Sequence, residues 1–193
     1  MEGQELNFYN TVNRFVHPTV EEWTAFYSRF SQRQVKKNEL LLSQGQVSHK
    51  IYYISQGCFR MFHFVNGEER CKDFQTEGQF TGSLYSFVSH KPALFYIAAV
   101  EKSEILEITR EQLNYLFDNY KVWERFGRLY VEQIFLYKEQ REAALLNQLA
   151  PYRYSNFLKD HPQWAQRIPL KYIASYLGIK PESLSRIRKL AEV

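Results

Sequence analysis

Three polar residues near the C-terminus have the types and spacing of a surface that reads DNA bases. They are Glu182, Ser185 and Arg186, which share one face if the segment is helical. A guanidinium can donate two hydrogen bonds to guanine O6 and N7, and a carboxylate can accept one from cytosine N4. Basic residues suited to phosphate contacts nearby are Lys171, Lys180, Arg188 and Lys189. The pattern predicts contacts with duplex DNA, and a solvated ion pair between Glu182 and Arg186 is the alternative.

Two short helices and a turn would present these side chains. The apolar residues that repeat at helical spacing are Ile173, Ala174, Leu177, Leu184 and Ile187. Gly178 suits the positive φ of a turn between two helices, and Pro181 suits the first position of the second helix. The segment 169–190 therefore predicts a helix-turn-helix, and a helical hairpin without function is the alternative.

A long helical stretch without proline precedes this region, from about residue 121 to residue 149. At 1.5 Å per residue it would span about 43 Å. Positions at alternating spacings of three and four, typical of a coiled-coil seam, are Trp123, Phe126, Tyr130, Gln133, Tyr137, Gln140 and Ala144. We interpret the stretch as a dimerisation helix, and a helix packed within one subunit is the alternative.

Short strand patterns separated by turn residues occupy the region before it. They are 39–42, 50–55, 58–65, 70–75, 95–100 and 104–108. Asn66-Gly67 between two of them favours a tight hairpin, because a type I′ turn needs positive φ at both central positions. Thr109 is expected to open a helix after the last strand. The close spacing predicts an antiparallel β-roll of the jelly-roll kind.

These patterns predict an α+β chain in three parts. Residues 1–120 form a β-roll sensor domain with N-terminal helices, residues 121–149 form the dimerisation helix, and residues 150–193 form a helix-turn-helix DNA-binding domain. The charge supports this division. Residues 148–193 carry eight Lys or Arg and three Asp or Glu, whereas the other residues carry 17 and 18. A near-neutral body with a basic tail is typical of nucleic-acid binding.

Several other classes of protein are disfavoured by the sequence. No apolar run reaches the length of a membrane span, and the N-terminus lacks the pattern of a signal peptide, so a cytoplasmic protein without membrane contact is expected. No P-loop, dinucleotide fingerprint or His-x-His metal motif occurs, so neither an enzyme nor a metal site is expected. Cys58 and Cys71 are predicted to be sheet residues, with a redox pair as the alternative.

The run from Arg167 to Lys189, RIPLKYIASYLGIKPESLSRIRK, resembles the Crp/Fnr family of transcription regulators, in a branch common in Bacteroidetes. The resemblance covers nearly the whole chain. It implies a sequence-specific DNA-binding regulator with a cyclic-nucleotide-binding-like β-roll, acting as a homodimer on a palindromic site. A small-molecule effector and RNA polymerase are further partners in that family. Glu182, Ser185 and Arg186 resemble the reader triplet of the Fnr branch.

The chain departs from the family at the cyclic-nucleotide cassette, which has Gly-Glu followed by an Arg-Ser or Arg-Thr pair. Here Ser83 follows Gly82, and no arginine occurs between Gly82 and Arg110. Losing the guanidinium that would hold the cyclic phosphate argues against classical cyclic AMP binding. The N-terminus also lacks the cysteine cluster of the iron–sulfur members. The effector and any cofactor, haem included, stay unassigned.

We expect the effector pocket to be lined by Gly82, Ser83, Leu84, Tyr85, His90, Lys91, Phe95, Tyr96, Leu129 and Tyr130. Within it, His90 and Lys91 either hold an anion or form a solvated loop tip. The alternative function is a ligand-binding signalling module that acts through protein contacts without binding DNA.

Overall fold

The computed structural model describes residues 3–191. The chain divides into two units. The first unit comprises Met1–Met61 and Phe74–Gln133, and the second comprises Phe62–Asp73 and Ile134–Val193. The division falls within a long helix, and each unit has its own packed interior.

The first unit begins with two short helices, α1 (Gln4–Asn13) and α2 (Val20–Tyr27). Thr19 starts α2 with a capping box, because its hydroxyl accepts from the Glu22 amide at 3.2 Å while the Glu22 carboxylate accepts from the Thr19 amide at 2.8 Å. The N-terminal helices that the sequence predicted are therefore present, and the second begins after the cap Thr19.

The strands among the described residues form two four-stranded sheets, with orders β1-β8-β3-β6 and β2-β7-β4-β5. Their bounds are β1 (Ser31–Val35), β2 (Leu40–Leu42), β3 (Lys50–Gln56), β4 (Cys58–Val65), β5 (Glu68–Thr76), β6 (Phe80–Thr81), β7 (Tyr96–Ala99) and β8 (Ser103–Thr109). Strand β8 pairs antiparallel with β1 and with β3, and β3 pairs antiparallel with β6. The predicted hairpin turn is confirmed, with φ of 53° at Asn66 and 80° at Gly67.

Alternating side chains of β3 and β8 face two separate cores on opposite sides of their sheet. Ile54 and Ile105 belong to the core inside the roll, together with Ile97 of the other sheet and with Phe95, which precedes β7. Tyr53 and Leu106 belong to a second core, which they form with the helices.

Three helices complete the first unit: α3 (Leu84–Ser89), α4 (Arg110–Asn119) and the start of α5 (Lys121–Asn147). Thr109 caps α4 as predicted, and α5 agrees with the predicted long helix to within two residues. Aromatic stacking joins α1 to the sheet and α2 to α5: the ring centroids of Phe8 and Tyr53 lie 3.9 Å apart, and those of Phe26 and Trp123 lie 4.0 Å apart.

The second unit contains the rest of α5 followed by four helices, α6 (Ala150–Asp160), α7 (Trp164–Arg167), α8 (Leu170–Tyr176) and α9 (Pro181–Ala191). The helix α7 is a single turn between α6 and α8. Its Trp164 is buried beside Phe157, and the His161 ring stacks on it at 3.8 Å. The predicted fold class, α+β with an antiparallel β-roll, a long helix and C-terminal helices, is confirmed. None of the described helices is long and apolar enough to cross a membrane.

Candidate nucleic-acid interface

The helices α8 and α9 pack against each other through the apolar residues that the sequence singled out. The buried ones are Ile173, Ala174, Leu177 and Leu184, and Ile187 is half-buried. Gly178 joins the helices with a φ of 70°, as predicted. Its amide donates to the Ser175 carbonyl at 3.1 Å, and the Ile179 amide donates to the Ala174 carbonyl at 3.0 Å. These bonds end α8 in the manner of a glycine C-cap.

The opposite face of α9 is open to solvent. It exposes Glu182, Ser185, Arg186 and Lys189. The sequence suggested that Glu182 orients Arg186, but the structure places the Arg186 guanidinium 3.4 Å from the Ser183 hydroxyl, which accepts its hydrogen bond. Both the carboxylate and the guanidinium on this face are therefore available to an outside partner.

The predicted phosphate contacts differ in exposure. Lys171, Lys180 and Lys189 are exposed, whereas Arg188 is half-buried. The Lys171 ammonium lies 4.9 Å from the centre of the Tyr172 ring, a cation–π distance. The side chains of the three lysines are already in solvent, where an anion such as a phosphate can contact them.

Two arginines of other helices bond consecutive carbonyls at the end of α8, a role that the sequence did not indicate. Arg141 of α5 donates to the Tyr176 carbonyl at 2.7 Å, and Arg153 of α6 donates to the Leu177 carbonyl at 2.9 Å. Arg153 also bonds the Gln148 carbonyl. The final carbonyls of a helix lack partners within the helix, so these side chains satisfy groups that would otherwise need water.

A cluster of tyrosines lies next to these arginines. The Tyr137 hydroxyl donates to Asp73 at 2.9 Å and lies 3.1 Å from the Tyr176 hydroxyl. Burial raises the pKa of Tyr137, and the nearby Asp73 carboxylate raises it further. Burial also raises the pKa of Tyr176, against the opposing effect of Arg141. Both tyrosines are thus held in their neutral, hydrogen-donating form.

The structure places much of the predicted dimer seam inside the subunit. Trp123 and Phe126 are buried in the helical core of the first unit. Tyr130 accepts a hydrogen bond from the Phe80 amide at 2.9 Å, and Tyr137 faces Asp73. These aromatic residues produced the seam pattern in the sequence, but in the structure their side chains pack within one chain. The other members are exposed (Gln133, Gln140) or half-buried (Ala144).

A different face of α5 carries its exposed apolar side chains. In the second unit the most exposed of these are Phe135, Leu136 and Leu146, with exposed fractions of 61%, 61% and 76%. Apolar side chains of this size at such exposure on one helix are typical of a protein contact.

The predicted effector residues fall into two groups. Phe95 belongs to the core inside the roll, whereas Leu129 and Tyr130 pack in the core on the other side of the β1-β8-β3-β6 sheet. The sheet therefore separates residues that the prediction joined in one pocket. Ser83 is buried and caps α3, since its hydroxyl accepts from the Ser86 amide at 3.4 Å. The remaining members are exposed or half-buried: Gly82, Leu84, Tyr85, His90, Lys91 and Tyr96.

Arg110 is buried beside α3, and its guanidinium donates hydrogen bonds to uncharged groups around it. Its guanidinium donates to the Ser48 carbonyl at 2.8 Å and to the Ser86 carbonyl at 3.5 Å. A further bond, at 2.7 Å, joins it to Nδ1 of His90, which has a left-handed φ of 60°. His90 thus has a partner within the chain, which the sequence did not suggest.

An open depression of about 450 Å³ lies at the β2–β3 connection, lined by Leu41, Leu42, Gln46, Val47, Ser48, His49, Lys50 and Tyr52. These lining residues differ from those of the predicted effector pocket. In the described part of the chain, no group of three His, Cys, Asp or Glu side chains is arranged to hold a metal ion. Cys58 and Cys71 are buried strand residues, as predicted.

Part of this chain matches a known family. Residues 32–120 match the cyclic nucleotide-binding domain. The matched segment begins in β1 and ends after α4, so it contains the β-roll strands and α3. No curated protein sequence is significantly similar to the chain.

Solved structures with the same fold extend the similarity to the C-terminal helices. FixK2 from Bradyrhizobium japonicum is 16% identical, with a TM-score of 0.75 over 84% of each chain. The c-di-GMP-responsive global regulator CLP from Xanthomonas campestris is 16% identical, with a TM-score of 0.72 over 90% of this chain and 92% of CLP. The catabolite activator protein of Thermus thermophilus is 23% identical, with a TM-score of 0.51 over 90% and 84%. The fold is that of the Crp/Fnr-type regulators.

Proposed function

We propose that this protein is a sequence-specific DNA-binding transcription regulator of the Crp/Fnr type. The helices α8 and α9 act as its helix-turn-helix, and α9 enters the major groove. The observation that carries this proposal is the division of α9 into a buried face with Leu184 and an exposed face with Glu182, Ser185 and Arg186. The likeness in fold to a global regulator and to a catabolite activator protein supports it.

The exposed residues take separate roles in this proposal. Glu182, Ser185 and Arg186 contact bases, because a carboxylate, a hydroxyl and a guanidinium each match a base edge in the major groove. The phosphate contacts come from the surrounding basic residues, which fix the position of α9 without reading sequence: Lys171, Lys180, Arg188 and Lys189.

The regulator binds as a homodimer on a palindromic site. We assign the dimer contact to the exposed apolar face of α5, in particular Phe135, Leu136 and Leu146, instead of the seam that contains Trp123. A twofold dimer would place two copies of α9 in successive major grooves, about 34 Å apart. RNA polymerase is a further partner of a regulator of this type.

The β-roll is the sensor in this scheme. Residues 1–120 receive an effector near α3, residues 121–149 transmit the change, and residues 150–193 bind DNA. The effector contacts come from the exposed residues of the predicted pocket around α3, among them Tyr85 and Lys91. A two-state change of α5 biased by the effector is sufficient to control DNA binding.

The proposal is tested by selecting bound sites from a random duplex library, with wild type, Arg186→Ala and Lys159→Ala in parallel. Lys159 is an exposed residue in the last turn of α6, so Lys159→Ala controls for the loss of one positive charge. We expect wild type and Lys159→Ala to enrich one palindrome. Arg186→Ala should lose about 1–3 kcal/mol of discrimination at one base pair of each half-site.

Failure of wild type to enrich any site would contradict DNA reading and favour a signalling module that acts through protein contacts. Enrichment of the same site by Arg186→Ala, with unchanged preference at every position, would remove Arg186 from the base-reading surface.

A further inference from the structure

The end of α8 is held by side chains from several other elements of the second unit. Backbone amides account for the carbonyls of Ile173, Ala174 and Ser175. The next two carbonyls, of Tyr176 and Leu177, accept from arginines of two different helices. Two guanidinium groups thus donate hydrogen bonds to the two consecutive carbonyls of the turn before α9. Guanidinium groups form stronger hydrogen bonds than neutral donors do.

Arg141 makes the more extensive of these two contacts. Besides the Tyr176 carbonyl, its guanidinium donates to the Lys72 carbonyl of β5 at 3.2 Å. The same group lies 3.5 Å from the centre of the Tyr176 ring, a close cation–π geometry. One side chain of α5 therefore bonds both a strand and the last turn of α8.

Ser175 attaches α8 directly to the edge of a sheet. Strand β5 is the last strand in its sheet order. The Cys71 amide donates to the Ser175 hydroxyl at 2.8 Å, and that hydroxyl donates to the Glu69 carbonyl at 3.3 Å. These backbone groups, two residues apart, point to the same side of a strand. A helix residue thus pairs with edge groups that would otherwise be open to another chain.

Tyr137 completes the set of contacts. Because an ionised carboxylate only accepts, the Tyr137 hydroxyl donates to Asp73 of β5, which leaves the Tyr176 hydroxyl to donate to Tyr137. Together, Asp73, Tyr137, Arg141, Ser175 and Tyr176 join α5, β5 and α8. We call these five residues the α8 clasp.

We propose that the α8 clasp makes α8 and α9 move as one body with the C-terminal half of α5, so that Arg141 is a positioning residue for the DNA-reading helix. This inference rests on the proposed DNA-binding function. The orientation of α9 follows α5 and does not vary at a free hinge between α5 and α6. In a dimer, the clasp then fixes the separation of the two copies of α9, and with it the half-site spacing that the regulator accepts.

The test measures affinity for palindromes whose half-site spacing varies by one or two base pairs around the selected optimum, and for an isolated half-site. The variants are Arg141→Ala, Arg141→Lys and Ser175→Ala. The control is Arg128→Ala, which removes an arginine of the same helix that pairs with Glu132 at 2.6 Å. We expect wild type and Arg128→Ala to share a sharp optimum.

The clasp variants should lose roughly 10-fold in affinity at the optimum, the size of one hydrogen bond within the protein, and bind neighbouring spacings nearly as well. Their affinity for an isolated half-site should change less than about 3-fold, because each α9 still reads its own bases. Arg141→Lys should resemble Arg141→Ala, since an ammonium cannot span two carbonyls with a planar fork.

The inference is overturned if wild type binds a palindrome and the clasp variants keep its spacing profile. If wild type enriches no site at all, the proposed function fails and this inference fails with it, so the two failures are distinguishable. Should Arg141→Ala not fold, Ser175→Ala decides the matter because it removes a single hydroxyl. Amide exchange at Cys71 should also be faster in Ser175→Ala, and an unchanged rate would contradict the strand contact.

Discussion

Trp123 and Leu136 lie on the same helix, and the structure predicts opposite consequences for their substitution. Trp123 is fully buried and stacks on Phe26 at 4.0 Å. Leu136 is 61% exposed. Replacing Trp123 with alanine removes a large buried ring and leaves a cavity, at a cost of about 3–5 kcal/mol in the free energy of unfolding. For a chain of this size, that corresponds to a fall in Tm of roughly 6–20 °C.

Leu136→Ser changes an exposed side chain, so the stability of the isolated subunit should change by less than about 0.5 kcal/mol. It should instead weaken the proposed dimer. Thermal unfolding and sedimentation, both measured over a range of protein concentrations, separate these effects. We expect Trp123→Ala to unfold at lower temperature at every concentration, and Leu136→Ser to dissociate at concentrations at which wild type is dimeric. A Trp123→Ala protein with wild-type stability that sediments as a monomer would contradict the packing of Trp123 within one subunit and favour the dimer seam predicted from the sequence.

Three further predictions concern pH, salt and the turn. Burial lowers the pKa of His161, so the unfolded chain takes up a proton more readily and stability should fall as pH drops through about 6.5, the ordinary value. In denaturant titrations at several pH values, His161→Gln should lose less stability below about pH 6.5 than wild type does. An equal loss of stability in both proteins would show that His161 does not cause it. Lys189→Ala should reduce the slope of log affinity against log salt by about one without altering sequence preference; an unchanged slope would remove Lys189 from the phosphate contacts. Gly178→Ala should cost about 1–2 kcal/mol in urea unfolding, because the φ of 70° is unfavourable for a residue with Cβ, and no loss of stability would show that the turn relaxes.

The sequence was most informative where local chemistry determines the conformation. Asn66-Gly67, Gly178 and Thr109 each satisfy a requirement of one turn or one helix start, and the structure has the expected feature at all three. The apolar pattern likewise predicted the buried faces of α8 and α9. In these cases the decisive interactions lie within a few residues along the chain.

Elements with weak local patterns escaped prediction. Strand β1 lies at the end of its sheet order and has the polar sequence SQRQV, with one fully buried residue, Val35. Helix α3 has only six residues, too short for a clear helical period. An edge strand with a single buried side chain does not show the alternation by which strands are recognised.

The faces of α5 and the α8 clasp could not be deduced from local sequence. Two apolar lines run along the helix, and periodicity does not say which of them packs on its own subunit. Tyr137 bonds Asp73, 64 positions away, and Ser175 bonds Cys71, 104 positions away. Only the folded chain brings these residues together.

The proposed function depends on base reading by α9. It is tested most directly by the affinity of wild type for its selected palindrome relative to a scrambled duplex of equal length, measured by fluorescence anisotropy at one fixed salt concentration. We expect a ratio of at least about 10³, as found for specific DNA-binding proteins. A ratio close to one, with both affinities falling equally steeply with salt, would show that the basic surface binds DNA only through its charge.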